Sequence, residues 1–344
     1  MYELHCPTAY GKPACTGRIK QQPEDFQVIE DLGFEPEGSG EHLYLFITKR
    51  GHNTRFVQEL LARAADVPLN NVSYSGLKDR HAVTSQWFSI WLPGRDIETL
   101  SLDESGIEIE RAVRHNRKLR RGTHNNNRFS LRLREIGENT DGLEERLAQV
   151  AQNGFPNYFG NQRFGFRAAN LEKVSRIRKK RRGDDILLSS ARSYLFNQVL
   201  SARVTDASWL QLSAGELAML DGSHSVFVVE EMDEVLQSRL TEFDIHPTGP
   251  MWGRGNPRTE GPLLALEMLV AEQYPQLSSV LEQFGMKQER RALRARADHL
   301  NWQWLDKRTL QLDFVLPTGC YATALLNQIV EVVEQRDNER LDKQ

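Results

Sequence analysis

The chain has 344 residues, 39% of them hydrophobic and 26% charged, with a formal net charge of −3. That is the composition of a folded protein with one large domain or two ordinary ones, and it excludes long disordered tracts. No apolar run approaches the roughly 18–20 residues that span a bilayer, no charged and then apolar leader opens the chain, and a cytoplasmic location is expected.

Residues 26–31 (FQVIED) and 42–49 (HLYLFITK) read as strands. In GHNTRFVQELLARAADVP, Asn53 is an N-cap, Phe56, Val57, Leu60, Leu61 and Ala64 form a helical stripe, and Pro68 lies beyond its end. Strands follow at 83–92, 107–115 and 127–136. In the last of these Phe129, Leu131 and Leu133 face one way and Ser130, Arg132 and Arg134 the other. A helix over 141–153 ends at Gly154, and FPNYFGNQRFGF after it reads as a loop. Helical texture runs from about 170 to 204. A short strand (224–230), a Gly/Pro-rich loop (247–262) and more helix to about 297 come next. LNWQWLDKRTLQLDFVLP then gives two strands around Asp306-Lys307-Arg308, and a helix spans 319–335. Strands at both ends and helices between them point to an α+β domain interrupted by a mostly helical insertion near 154–296. Nothing signals an oligomer, and a monomer is expected.

Three scattered cysteines, Cys6, Cys15 and Cys320, argue against a disulfide framework. The nine histidines show no ligand spacing, so no metal is expected. No phosphate loop or dinucleotide fingerprint is present, and no cofactor is indicated.

Positive charge is concentrated. Residues 111–134 carry Arg111, Arg114, Arg117, Lys118, Arg120, Arg121, Arg128, Arg132 and Arg134 with no Asp or Glu, and a second run fills 176–182. Unneutralised blocks in a net acidic protein suggest a polyanion site. The asparagines and aromatic residues among them suit RNA, where amides read base edges and rings stack, better than duplex DNA. Arg117, Lys118, Arg120 and Arg121 are the expected backbone contacts. His115 and His124, in the same segment, read as phosphate contacts.

Asp79, in SYSGLKDRHAVTSQWF (73–88), is the candidate reacting group. Gly76 permits an unusual turn, and a nearby cation would keep the carboxylate ionised, as a nucleophile or base. On these residues alone, a surface turn ion-paired to its own neighbours is the simpler reading.

Seven blocks in order change that balance: QPEDFQVIE (22–30), HNTRF (52–56), SYSGLKDRHAVTSQWF (73–88), NNRFSLRLRE (126–135), FPNYFGNQRFG (155–165), SARSYLFNQVL (190–200) and LPTGCYAT (316–323). Together they resemble the TruD family of tRNA pseudouridine synthases. The resemblance implies isomerisation of uridine at tRNA position 13 to pseudouridine, without cofactor or metal. It also implies a pseudouridine-synthase catalytic domain, a mixed and largely antiparallel sheet with flanking helices. That domain would be built from 1–153 plus 296–344 and interrupted by a family insertion at 154–295. The family's aspartate maps to Asp79. Its uridine pocket maps to Phe26, Asn127, Phe129 and Tyr321, the last where the family often has Phe. Lys20 is expected as a cation near the Asp79 carboxylate or the substrate phosphate beside it, because adjacent side chains on an extended segment point apart and a distant partner serves better than Lys78 or Arg80. Glu24 is expected in the same network. The alternative is a non-catalytic tRNA-binding or RNA-folding protein on the same scaffold.

Overall fold

A computed structural model describes residues 2–95, 100–179, 181 and 183–334. Lys180 and Arg182 of the second basic run lie outside the described residues. In chain order the elements are β1 (Thr16–Ile19), β2 (Phe26–Asp31), β3 (His42–Arg50), α1 (Thr54–Ala64), β4 (Val72–Tyr74), β5 (Val83–Trp91), β6 (Ile107–His115), β7 (Asn126–Leu133), α2 (Leu143–Asn153), β8 (Phe155–Pro156), α3 (Ala169–Val174), α4 (Asp184–Thr205), β9 (Leu217–Leu220), β10 (Val226–Val228), α5 (Glu234–Thr241), β11 (Ile245–Met251), α6 (Gly261–Gln273), α7 (Pro275–Gln283), β12 (Glu289–Ala292), β13 (Arg294–Ala295), β14 (Asp298–Asp306), β15 (Thr309–Pro317), α8 (Ala322–Ile329) and β16 (Glu331–Glu334). The chain is α+β, and it forms two compact units.

Among the described residues, one unit comprises those of 14–143, 297–319 and 330–334. Its sheet runs β14-β15-β7-β2-β5-β3-β6, with β4 added to β5. Every pairing in it is antiparallel except β2 with β5. Register puts Phe314, Phe129 and Val28 side by side across β15, β7 and β2, with Leu316, Asn127 and Glu30 in the next row on the same face. α1 starts at Asn53, whose side chain accepts from the Phe56 N–H at 2.8 Å. Its Val57 and Leu61 pack on Leu43, Leu45, Ile47, Phe88 and Ile90, so one face of β3 and β5 is a dry core under the helix.

The other unit comprises the chain up to Pro13 with 144–296 and 320–329. The 22-residue α4 is its centre, with Leu195, Phe196, Val199 and Leu200 buried. The unit also holds a four-stranded sheet, β10-β9-β11-β12. Here the structure corrects the sequence reading. Residues 245–251, which take in the start of the 247–262 stretch that reads as a Gly/Pro-rich loop, are the buried strand β11, although proline usually marks an edge. Residues 289–295, which read as helix, are β12 and β13. Their arginines are held by tertiary partners: Arg290 ion-pairs with Glu267 at 2.8 Å, and Arg294 donates to the carbonyls of Leu240 and Ile245. The last helix stops at Ile329, and 331–334 pair in parallel with β1 instead.

Candidate active site

Asp79 lies in the 75–82 connection between β4 and β5, and hydrogen bonds fasten its backbone. Gln86 Nε2 donates to the Gly76 carbonyl at 3.0 Å, and the Lys78 N–H donates to Thr54 Oγ1 at 2.9 Å. Thr54 in turn donates to Gln86 Oε1 at 2.9 Å. From below, Lys49 Nζ donates to the Asp79 carbonyl at 2.9 Å and to the His52 carbonyl at 2.6 Å. Lys49 is fully buried, and burial pushes its pKa down to about 8. The loop therefore sits on a buried network rather than on a mobile surface turn.

The side chains of the loop go different ways. Lys78 turns inward and ion-pairs with Glu30, itself fully buried and also accepting the Trp87 N–H at 3.2 Å. Burial pushes the Glu30 carboxyl pKa up, opposed by Lys78. Asp79 is left to Lys20, whose Nζ stands 2.6 Å from Oδ2, and Oδ1 accepts the His81 N–H at 3.1 Å. Lys20 adopts φ +59°, a left-handed conformation that a side chain with a Cβ pays for, and it sits just past the end of β1. Its ammonium also lies 4.4 Å over the Phe26 ring. Phe26 meets Phe129 edge to face at 6.2 Å, and Phe129 stacks on Phe314 at 5.2 Å. Both are nearly buried, forming a wall rather than an open platform.

One unit thus brings together Asp79, Lys20, Phe26, Phe129 and Asn127. Glu24 goes elsewhere: it is paired with Arg50 at 2.6 Å, and it is Asp25 of PEDF that is buried, against Arg134 at 2.7 Å. Tyr321 belongs to the other unit, packed edge to face on Phe159 at 5.9 Å. A side chain at Gly160 would meet that tyrosine ring at 3.2 Å, so glycine lets the ring lie against the backbone.

Arg117, Lys118, Arg120 and Arg121 are exposed, and none pairs with a carboxylate among the described residues. Arg121 stacks over Tyr74 at 5.2 Å. The two histidines of that segment are corrected: both are buried, His115 against Tyr44 and His124 against Ser75, so neither is a surface phosphate contact. Sequence reading also missed Lys49 and Glu30. The signal was strand parity, since Lys49 follows Leu43, Leu45 and Ile47 on the inward face of β3, and Glu30 follows Phe26 and Val28 on that of β2. Among the described residues no three His, Cys, Asp or Glu side chains stand together as metal ligands.

A sheet of this kind, with a carboxylate and an ammonium set against an aromatic wall, is the framework of an α+β enzyme. The model of the TruD family, tRNA pseudouridine synthase D, matches residues 7–180 and 180–329. The chain is 44% identical to the tRNA pseudouridine synthase D of Xanthomonas euvesicatoria pv. vesicatoria, with 95% of each chain covered. It is 44% identical to that of Pseudomonas syringae pv. syringae as well, with 96% of each covered. The crystal structure of a TruD protein from Methanosarcina mazei shares the fold, with a TM-score of 0.67 at 20% identity over 95% of this chain and 96% of that one. This chain belongs to the TruD family.

Proposed function

We propose that the protein isomerises uridine to pseudouridine in tRNA, at position 13, with Asp79 as the reacting carboxylate and without cofactor or metal. Membership of the family carries the coarse statement, that of an isomerase acting on uridine in tRNA. The observation that carries the finer one is the Asp79 carboxylate, held by a fastened backbone and 2.6 Å from the Lys20 ammonium. An ammonium at that distance favours the ionised carboxylate that attack on C1′ or on the base, or elimination through a glycal, requires. Any of these routes needs one nucleotide extruded from its stack to within contact of Asp79.

Phe26 and Phe129 would confine the extruded uracil, Asn127 would bond its edge, and Tyr321 is carried over on the resemblance alone. The exposed Arg117, Lys118, Arg120 and Arg121 suit tRNA phosphates. The domain partition, 1–153 with 296–344 around an insertion at 154–295, belongs to the same proposal.

The test is tritium release from tRNA labelled at C5 of uridine, because making pseudouridine displaces that hydrogen. Wild type should release tritium, and Asp79→Asn should fall on the order of 10³-fold or more while still binding tRNA. Undiminished release by Asp79→Asn would remove the aspartate from the chemistry. No release by a folded, tRNA-binding wild type would favour a non-catalytic RNA binder.

A further inference from the structure

We infer that Leu77 is a wedge: its side chain enters the base stack of the tRNA and fills the gap that the target uridine leaves when it is extruded. The inference rests on the functional reading above and says how the nucleotide is kept out of its stack.

The geometry lies within one unit. Leu77 is 68% exposed, more than any other large apolar side chain among the described residues. A scattered exposed leucine is ordinary on a protein surface. This one is fixed in place. The Ser75 carbonyl accepts the Gly122 N–H at 2.9 Å, the Gly76 carbonyl accepts from Gln86 Nε2 at 3.0 Å, and the Lys78 N–H donates to Thr54 Oγ1 at 2.9 Å. The backbone is thus pinned on both sides of Leu77, and the loop cannot turn to bury it. The side chains that follow are committed elsewhere: Lys78 to Glu30, Asp79 to Lys20, and Arg80, whose Nε donates to the Gly51 carbonyl at 3.1 Å. Leu77 keeps its apolar surface in water, a cost that burial against a partner would remove.

Its neighbours say which partner. Asp79 lies two residues ahead. Two residues behind, the bond from Gly122 to Ser75 ties in the turn at 120–123, where the Thr123 hydroxyl donates to the Arg120 carbonyl at 2.7 Å. Arg121 Nη2 donates to the Tyr74 hydroxyl at 3.1 Å. One hydrogen-bonded framework therefore carries the arginines suited to phosphates, the exposed leucine and the reacting carboxylate. Two residues span at most about 7 Å between Cα atoms, and stacked bases lie about 3.4 Å apart. The gap beside a nucleotide whose ribose reaches Asp79 is within range of the Leu77 side chain. Extrusion bares the faces of both flanking bases to water. Leucine is among the side chains that proteins insert between base steps, being broad, apolar and free of hydrogen-bonding demands. Filling the gap buries the leucine and removes the space to which the uridine would return, which favours the extruded state.

The experiment has two parts. The first measures tritium release and KM for tRNA with Leu77→Ala, Leu77→Asn and Leu77→Met. The side chain is exposed, so the urea transition of each should match wild type. Leu77→Ala should lower kcat by about 10–100-fold, the worth of burying one leucine side chain. KM should stay within about threefold, because phosphate contacts dominate tRNA affinity. Methionine should restore most of the kcat that alanine loses. Asparagine, of similar size but polar, should not. Unchanged kcat in Leu77→Ala, or equal losses for asparagine and methionine, would overturn the wedge. The second part reads extrusion without chemistry, in tRNA carrying 2-aminopurine next to the target uridine. Binding of Asp79→Asn should raise its fluorescence severalfold as the uridine leaves the stack. Asp79→Asn/Leu77→Ala should give less than half that rise at saturating protein. Equal rises, or none with Asp79→Asn itself, would overturn the wedge, since a residue that merely shapes the loop around Asp79 does not move this signal. Wild type without tritium release overturns the functional reading, whatever the fluorescence. Release with equal rises overturns the wedge alone.

Discussion

Replacing Lys49 with methionine separates what that residue costs the fold from what it does for the site. Its ammonium is fully buried, and its pKa falls from 10.5 to about 8. Between those two values the unfolded chain keeps a proton that the folded chain has released. Stability therefore rises with pH through that window, and below about pH 8 the full penalty applies. At 1.36 kcal/mol per pKa unit, the shift is a destabilisation of about 3 kcal/mol at pH 7. Methionine removes that penalty and strips the donor from two carbonyls, those of Asp79 and His52, at about 1–3 kcal/mol each. At pH 7 the terms nearly cancel, and Lys49→Met should be within about 2 kcal/mol of wild type. Raising the pH to 10 relieves wild type but not the variant, so the variant should lose about 2–3 kcal/mol relative to wild type. Urea unfolding of both proteins at the two pH values measures this difference. Parallel stabilities across that range would refute a buried, charged Lys49. In the same variant the Asp79 carbonyl is unanchored, and tritium release at pH 7 should fall by about 10-fold or more, since small misplacements of a reacting group are costly.

Two further outcomes follow from the same geometry. Lys20→Met leaves Asp79 without its 2.6 Å ammonium partner, so kcat should drop about 10–100-fold while the affinity for tRNA changes little. A variant with normal turnover would take Lys20 out of the site. Charge reversal at Arg117, Lys118 and Arg120 should weaken tRNA binding and flatten its salt dependence, each lost phosphate contact lowering the log–log slope by about 0.7–0.9. A filter-binding salt titration with an unchanged slope would place these residues outside the interface.

Periodicity and capping were legible in the sequence because they depend on neighbours along the chain. Asn53 caps α1, Phe129, Leu131 and Leu133 line the inward face of β7, and the hairpin of β14 and β15 turns at Asp306-Lys307-Arg308. The seven ordered blocks carried the family for the same reason, since motifs are local. Contacts between distant segments were not legible. Sequence shows that Lys20 and Asp79 are charged and compatible, but the turn at φ +59° and the register of β2 against β5 are what bring groups 59 residues apart to 2.6 Å. Local propensity misread 289–295, where arginines that favour helix are drawn into strands by Glu267 and by carbonyls of Leu240 and Ile245. It misread His124 in the same way. Within a basic segment the residue looks like a phosphate ligand, and only the fold shows it buried between Ser75 and Asn127. Spacing along the chain determines which faces can be buried. The partner that satisfies each buried polar group comes from elsewhere in the sequence, so the tertiary structure alone decides it.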